Sequence, residues 1–187
     1  MSNDPNYGVA CYSLGVVYQQ YQQEGHLDKA IEYFNKALSI NPNLPRTYRA
    51  GAYCGLGFAY GEKGNHDKAS EYFNKALLLD PKDSKLYSNL GYAYVKKGNP
   101  DKALEYLNKA ISINPKHAAA YTNLGHACTE KSDYDKAIEY FNKAISLNPN
   151  EAEAYCGLGA AYGKKATMIK RRTITPKVLP YTVNRER

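Results

Sequence analysis

The sequence predicts an all-α fold, an α-solenoid of antiparallel helix hairpins, and two repeated motifs indicate it. A Tyr-x-x-Leu-Gly motif recurs at a 34-residue step, beginning at Tyr87, Tyr121 and Tyr155. A second motif of alanine, a large apolar residue, alanine and proline follows, as in Ala103, Leu107, Ala110 and Pro115. A fixed period of roughly 20–50 residues is typical of stacked supersecondary units.

Each repeat is expected to contain a first helix, helix A, and a second, helix B. We number repeat positions from residues 50, 84 and 118. At about 100° per residue, positions 4, 7, 8 and 11 fall on one face of helix A, and positions 20, 24 and 27 fall on one face of helix B. Small residues at positions 8 and 20, such as Gly91 and Ala103, let the two helices approach closely.

The helix boundaries have recognisable causes in the sequence. Gly98 supplies a left-handed turn residue and Asn99 an N-cap. Asp101 then lies in the first turn of helix B, where negative charge interacts favourably with the helix end. Pro115 follows the last turn, because proline cannot continue the helical hydrogen-bond ladder.

These Tyr/Leu-Gly/Tyr, Ala/Phe/Ala and Pro positions resemble the tetratricopeptide repeat family. The resemblance covers residues 8–163 of a domain assigned to residues 1–163. It implies a right-handed superhelix of about four full repeats plus one terminal helix. The repeats are expected at 8–44, 50–83, 84–117 and 118–151, with a half repeat at 152–163.

The pattern departs from the family at both ends of the array. Repeat one carries three extra residues around 21–23, and a five-residue excess lies near 44–49. Either helix A of repeat two begins early, or Pro45 keeps a short loop there. Repeat five lacks a helix B, so we expect its first helix to cap the array incompletely. A truncated array or self-association through this incomplete repeat would account for it.

Charge is distributed unevenly along the chain. The net charge of +7 belongs entirely to residues 164–187, which we expect to be a basic, disordered tail. No apolar stretch approaches the roughly 20 residues needed to span a bilayer. Asp4 stands where a signal peptide would carry positive charge, so we expect a protein that is not exported. The four cysteines lack zinc or disulfide-framework spacing. We expect a cytoplasmic protein with reduced thiols, no bound metal and no cofactor.

A binding wall is expected where the A helices stack side by side, at positions 2, 6, 9 and 13. Asn89 and Asn123 are candidates to bond a peptide backbone, and the resemblance supports this, because superhelical members of the family carry an asparagine ladder there. Gly55 and Gly157 interrupt that ladder. The complete candidate groove comprises Asn89, Asn123, Tyr92, His126, Phe58, Lys85, Ser88 and Thr122. Only Lys85 corresponds to the clamp of chaperone-binding members.

The sequence therefore predicts a non-catalytic protein-interaction scaffold that holds a peptide or partner helix in a concave groove. An enzyme is not expected, because no phosphate loop, nucleophile motif, paired-acid constellation or metal set occurs. The alternative is an adaptor whose basic tail contacts nucleic acid or an anionic membrane. Tyr181 is the one aromatic residue in that tail.

Overall fold

Helices make up the regular structure of the described part of the chain, where no strand occurs. The structure is a computed structural model that describes residues 5–20, 25–40 and 44–174. The helices are α1 Pro5–Gln20, α2 His26–Ile40, α3 Arg46–Glu62, α4 His66–Leu79, α5 Ser84–Lys96, α6 Pro100–Ile113, α7 Ala118–Glu130, α8 Tyr134–Leu147 and α9 Ala152–Ile174. Each packs against the next. The predicted all-α solenoid, with four hairpins and a terminal helix, is confirmed.

The large side chain at position 24 joins neighbouring helices throughout the array. A Cβ added to Gly91 would lie 2.5 Å from Leu107 Cγ, and one added to Gly125 would lie 2.6 Å from Phe141 Cε1. The absence of a side chain at position 8 therefore makes room for the residue at position 24. Phe34, Phe73, Leu107 and Phe141 are all buried in this way.

The turns between helices use the residues that the sequence indicated. Gly98 has φ of 69°, and the side chain of Asn99 accepts a hydrogen bond from the Lys102 backbone N–H at 3.2 Å. Asn65 caps α4 in the same way. In the last of these turns Ser132 takes the left-handed conformation, with φ of 61°, a conformation more often adopted by glycine.

Helix α3 begins early, so the first of the two alternatives for the excess near residues 44–49 is confirmed. It starts at Arg46 immediately after Pro45 and has 17 residues, whereas α5 and α7 have 13. Leu44 is buried against Cys11 and Ala37, which fixes the chain before this longer helix. The extra residues around 21–23 lie outside the described residues.

A ladder of ion pairs connects each repeat to the one before it. Its lysines follow the 34-residue period from Lys63, and each contacts an aspartate in the first turn of the preceding helix B. The pairs are Lys63–Asp28 at 2.6 Å, Lys97–Asp67 at 2.7 Å, Lys131–Asp101, and Lys165–Asp135 at 2.5 Å. These pairs are solvent-exposed, so each adds little stability by itself.

The terminal helix is longer than the sequence indicated. Helix α9 continues to Ile174, so residues 164–174 are helical where a disordered tail was expected to begin. Lys165 takes the place in the ion-pair ladder that a lysine takes in each preceding repeat. Lysine, alanine and methionine favour helix, and no glycine or proline occurs between 164 and 174 to stop it. Residues 175–187 lie outside the described residues.

Candidate functional site

The A helices form a wall that carries one aromatic or imidazole side chain in each of three successive repeats. Phe58 on α3 and Tyr92 on α5 are exposed, and His126 on α7 is half-buried. All three are at position 9. Helix α7 packs beside both α5 and α9, and Tyr92 on α5 and His126 on α7 are close enough to line one cavity.

A cavity of about 300 Å³ opens between α5 and α7. Its lining residues are Tyr92, Val95, Lys96, Gly98, His126 and Glu130. The Lys96 ammonium lies 5.1 Å from the centre of the Tyr92 ring, a cation–π contact that holds the ring at the cavity edge. The cavity combines aromatic surface with charges of both signs, so it suits one side chain of a peptide better than a small-molecule ligand.

His126 is the most constrained residue of this cavity. Its ring packs edge-on against Phe141, with centroids 5.1 Å apart. Its Nε2 is buried without a hydrogen bond, although Glu153 Oε1 lies 3.3 Å away. Burial lowers the pKa of His126 below its ordinary value of 6.5, while Glu153 opposes that shift and Lys96 adds to it. Since burial is the largest cause, the imidazole is neutral at neutral pH.

We expect the protein to lose stability as the pH falls through the lowered pKa of His126. The unfolded chain takes up a proton near pH 6.5, whereas the folded protein takes one up only at lower pH, so acid favours unfolding. Well above pH 6.5 the imidazole is neutral in both states and the contribution is constant. Urea unfolding at about pH 7.5 and about pH 5.5 measures the change.

The control for this expectation is His126→Gln, in which the drop in stability should be smaller. Some pH dependence should remain, because burial also lowers the pKa of His117. A nuclear magnetic resonance titration that gives His126 a pKa at or above 6.5 would contradict the assignment.

The two asparagines at position 6 differ in their surroundings: Asn123 lies at the junction between repeats, whereas Asn89 is half-buried. Asn123 is buried and its amide donates to Ser88 Oγ of the preceding repeat at 3.3 Å. Gly55 and Gly157 lie against the rings of Phe34 and Phe141, which occupy the space that an asparagine side chain would need. At these two positions the asparagine ladder is interrupted, and the ring of the preceding repeat occupies the space beside each glycine.

The other predicted groove residues divide by exposure. Ser88 and Thr122 are buried, and Thr122 Oγ1 lies 3.4 Å from the Ala118 carbonyl oxygen in its own helix. Both side chains are packed between helices, whereas the sequence led us to expect them on the groove surface. Lys85 is exposed and Asn89 is half-buried. Of the eight candidates, Tyr92 and His126 share the cavity.

Sequence reasoning missed two lining residues and one contact. Val95 is at position 12 and Gly98 lies in the following turn. A spacing of three residues from position 9 places position 12 on the same side of a helix, so the repeat pattern contained the signal for Val95. The approach of Glu153 to His126 joins α9 to α7 and depends on how repeat five packs.

The described residues show no metal site and no membrane-crossing helix. No group of three or more His, Cys, Asp or Glu residues among them could hold a metal ion. No helix in the described ranges is both long and apolar enough to cross a bilayer. Of the basic residues assigned to the tail, Lys165 is engaged with Asp135, and those beyond 174 lie outside the described ranges.

Comparison with known proteins supports the family assignment by sequence. A tetratricopeptide repeat family model matches residues 14–82, 48–116 and 82–149. Together these matches cover more than half of the chain. Repeats of this family generally form non-catalytic protein-interaction domains. A search of curated protein sequences finds no match.

Several solved structures are also similar to this chain. The crystal structure of MamA protein is similar with 28% identity and a TM-score of 0.70, covering 90% of this chain and 87% of that one. A second MamA crystal structure has 31% identity, a TM-score of 0.64 and coverage of 80% and 85%. The first repeat domain of Spaghetti (RPAP3), bound to the HSP90 peptide SRMEEVD, has 25% identity, a TM-score of 0.58 and coverage of 63% and 93%. The chain belongs to the tetratricopeptide repeat family.

Proposed function

We propose that the wall formed by α3, α5 and α7 binds an extended peptide segment of a partner protein. The observation that carries this proposal is the cavity between Tyr92 and His126, which lies on the wall formed by the A helices. One side chain of the peptide would enter it, with Tyr92 providing apolar contact area. Aromatic residues that are partly exposed beside a cavity commonly supply much of the binding energy at protein interfaces.

Repeat two supplies a further aromatic side chain at position 9. Phe58 is exposed at position 9 of α3, and its ring packs edge-on against Phe73 with centroids 5.5 Å apart. That contact limits the freedom of the ring, so less conformational entropy is lost when a ligand packs against it. Asn89 lies one turn before Tyr92 and can donate to and accept from a peptide backbone.

The charges along the wall favour a segment of mixed charge. Lys85 and Lys96 on α5 are exposed, and so are Glu62 on α3 and Glu130 on α7. A strongly acidic or strongly basic ligand would therefore meet like charges as well as opposite ones. The RPAP3 domain binds an HSP90 peptide, which supports peptide binding by this fold. The side chains of this wall determine which peptide sequences bind.

A displayed library of random peptides, selected on the full chain, supplies the probe. We expect Tyr92→Ala to weaken binding of a selected peptide about tenfold or more. Asn89→Ala should cost about 1 kcal/mol, the net contribution of one hydrogen bond. Fluorescence anisotropy of the labelled peptide measures both changes, and circular dichroism checks that each variant is folded.

Leu78→Ala is the matched control, because Leu78 is 81% exposed and lies on α4, away from the cavity. Its affinity should equal that of the unmodified chain. If Tyr92→Ala and Phe58→Ala both bind the selected peptides as the control does, the peptide does not bind on this wall and the proposal is wrong.

A further inference from the structure

The last helix of the array has a socket that no described residue fills, on the face that would otherwise pack on a helix B. Each position-8 glycine before it lies against the position-24 residue of its own hairpin, as Gly91 does with Leu107. A Cβ added to Gly159 would meet nothing within 4 Å. On either side of it, one turn away, Tyr155 and Tyr162 are 50% and 53% exposed.

The first helix exposes a second apolar face. Leu14 and Val17 on α1 are 42% and 47% exposed, and Ala10 is exposed beside them. The equivalents of Leu14 in repeats two to four are fully buried, namely Leu56, Leu90 and Leu124. In those repeats this face packs on the preceding hairpin, whereas on α1 no described residue covers it.

These two faces match in spacing. Ala10, Leu14 and Val17 are separated by four and three residues, the same steps that separate Ala103, Leu107 and Ala110 on α6. In α6 this small–large–small row packs on helix A of its own hairpin, with Leu107 against Gly91. The outer face of α1 therefore presents the side-chain pattern of a helix B, with valine in place of the last alanine.

The absence of charged side chains from both faces also favours the pairing of α1 with α9. Residues 5–20 contain no charged side chain, and neither do residues 154–163 of α9. An exposed helix in a water-soluble arrangement normally carries charged residues on its outer side. Two uncharged, partly apolar faces at opposite ends of one array are typical of surfaces that become buried in an assembly.

We infer that the protein associates head to tail, with α1 of one copy packed antiparallel on α9 of another. Leu14 of the first copy lies against Gly159 of the second, as Leu107 lies against Gly91 within one chain. Tyr155 and Tyr162 of the second copy pack on either side of Leu14. The contact is heterologous, because the two surfaces differ, so each added copy leaves one α1 face and one α9 face free. The peptide-binding wall is not part of this contact.

Sedimentation velocity of the full chain over a range of protein concentrations tests the inference. The unmodified chain should form dimers and longer species as the concentration rises. Leu14→Glu and Gly159→Glu should each abolish this association, because each places a charge in the buried contact. Both sites are open in the single chain, so both variants should keep the helical circular dichroism signal. Leu78→Glu, an equally polar change at an exposed leucine, should associate as the unmodified chain does.

An equimolar mixture of the two variants identifies the pairing. Leu14→Glu retains an intact α9 face and Gly159→Glu retains an intact α1 face, so the mixture should form one heterodimer and nothing larger. Dimers of Leu14→Glu alone would show that α9 pairs with α9, and dimers of Gly159→Glu alone that α1 pairs with α1. Either result, or an unmodified chain that stays monomeric at all concentrations, overturns the inference.

Discussion

Replacement of Phe141 by alanine is expected to lower the free energy of unfolding by about 3–5 kcal/mol, the usual cost of removing a buried aromatic side chain. Phe141 is fully buried and joins three helices: it lies against Gly125 on α7, against Gly157 on α9, and edge-on to His126. Because both glycines lack a side chain, neither can move into the space. A cavity would remain at the junction of repeats four and five.

Urea unfolding followed by circular dichroism at the helical band measures this change. In a stack of repeats each unit contacts only its neighbours, so we expect the loss to appear first in α8 and α9. The transition should broaden as well as shift to lower urea. Hydrogen exchange of the same variant should accelerate in α8 and α9 before it accelerates in α3 and α4.

Tyr162→Ala is the control, because it removes an aromatic ring that is half exposed on α9. It should change the unfolding free energy by less than about 1 kcal/mol. Equal effects of Phe141→Ala and Tyr162→Ala would show that Phe141 is not the packing centre of this end of the array.

Leucine at Gly125 and at Gly159 should have opposite consequences, although both glycines occupy position 8. A Cβ at Gly125 would lie 2.6 Å from the Phe141 ring, whereas the same atom at Gly159 would meet nothing. Overpacking of this kind costs about 1–3 kcal/mol or more. Gly159→Leu should instead stabilise the helix slightly, since leucine favours helix over glycine by up to about 1 kcal/mol.

The comparison is made at a protein concentration where the unmodified chain is monomeric, so that self-association does not contribute. Thermal and urea unfolding show whether each variant is more stable or less stable than the unmodified chain. A destabilised Gly159→Leu would mean that the socket on α9 is filled within the chain. The inference of an open α1-binding face would then fail together with this expectation.

The repeat motif was enough to predict much of the architecture, because the residues that determine it are local. Gly98 and Asn99 define a turn and a cap within a few residues, and the spacing of Ala103, Leu107 and Ala110 defines a helical face. These signals recur at a fixed period, so each repeat supports the interpretation of the next.

The binding wall was harder to predict, because its composition depends on contacts between repeats. Helical geometry places position 6 on the outer side of helix A, yet Asn123 is buried against Ser88 one repeat away. Asn89, at the same repeat position, is half-buried. A phenylalanine fills the space at Gly55 and Gly157. No single-helix argument contains that information.

The sequence by itself determined the fold class, the turn and cap residues between the central helices, and the repeated positions that form the core there, since backbone conformation and helical periodicity are short-range properties. The tertiary structure decided which outward residues remain exposed, where α9 ends, and which ion pairs join successive repeats. It also revealed that no described residue fills the space beside Gly159, whereas Phe141 fills the space beside Gly125. These features depend on the packing of side chains from helices that are distant in sequence, so only the assembled array defines them.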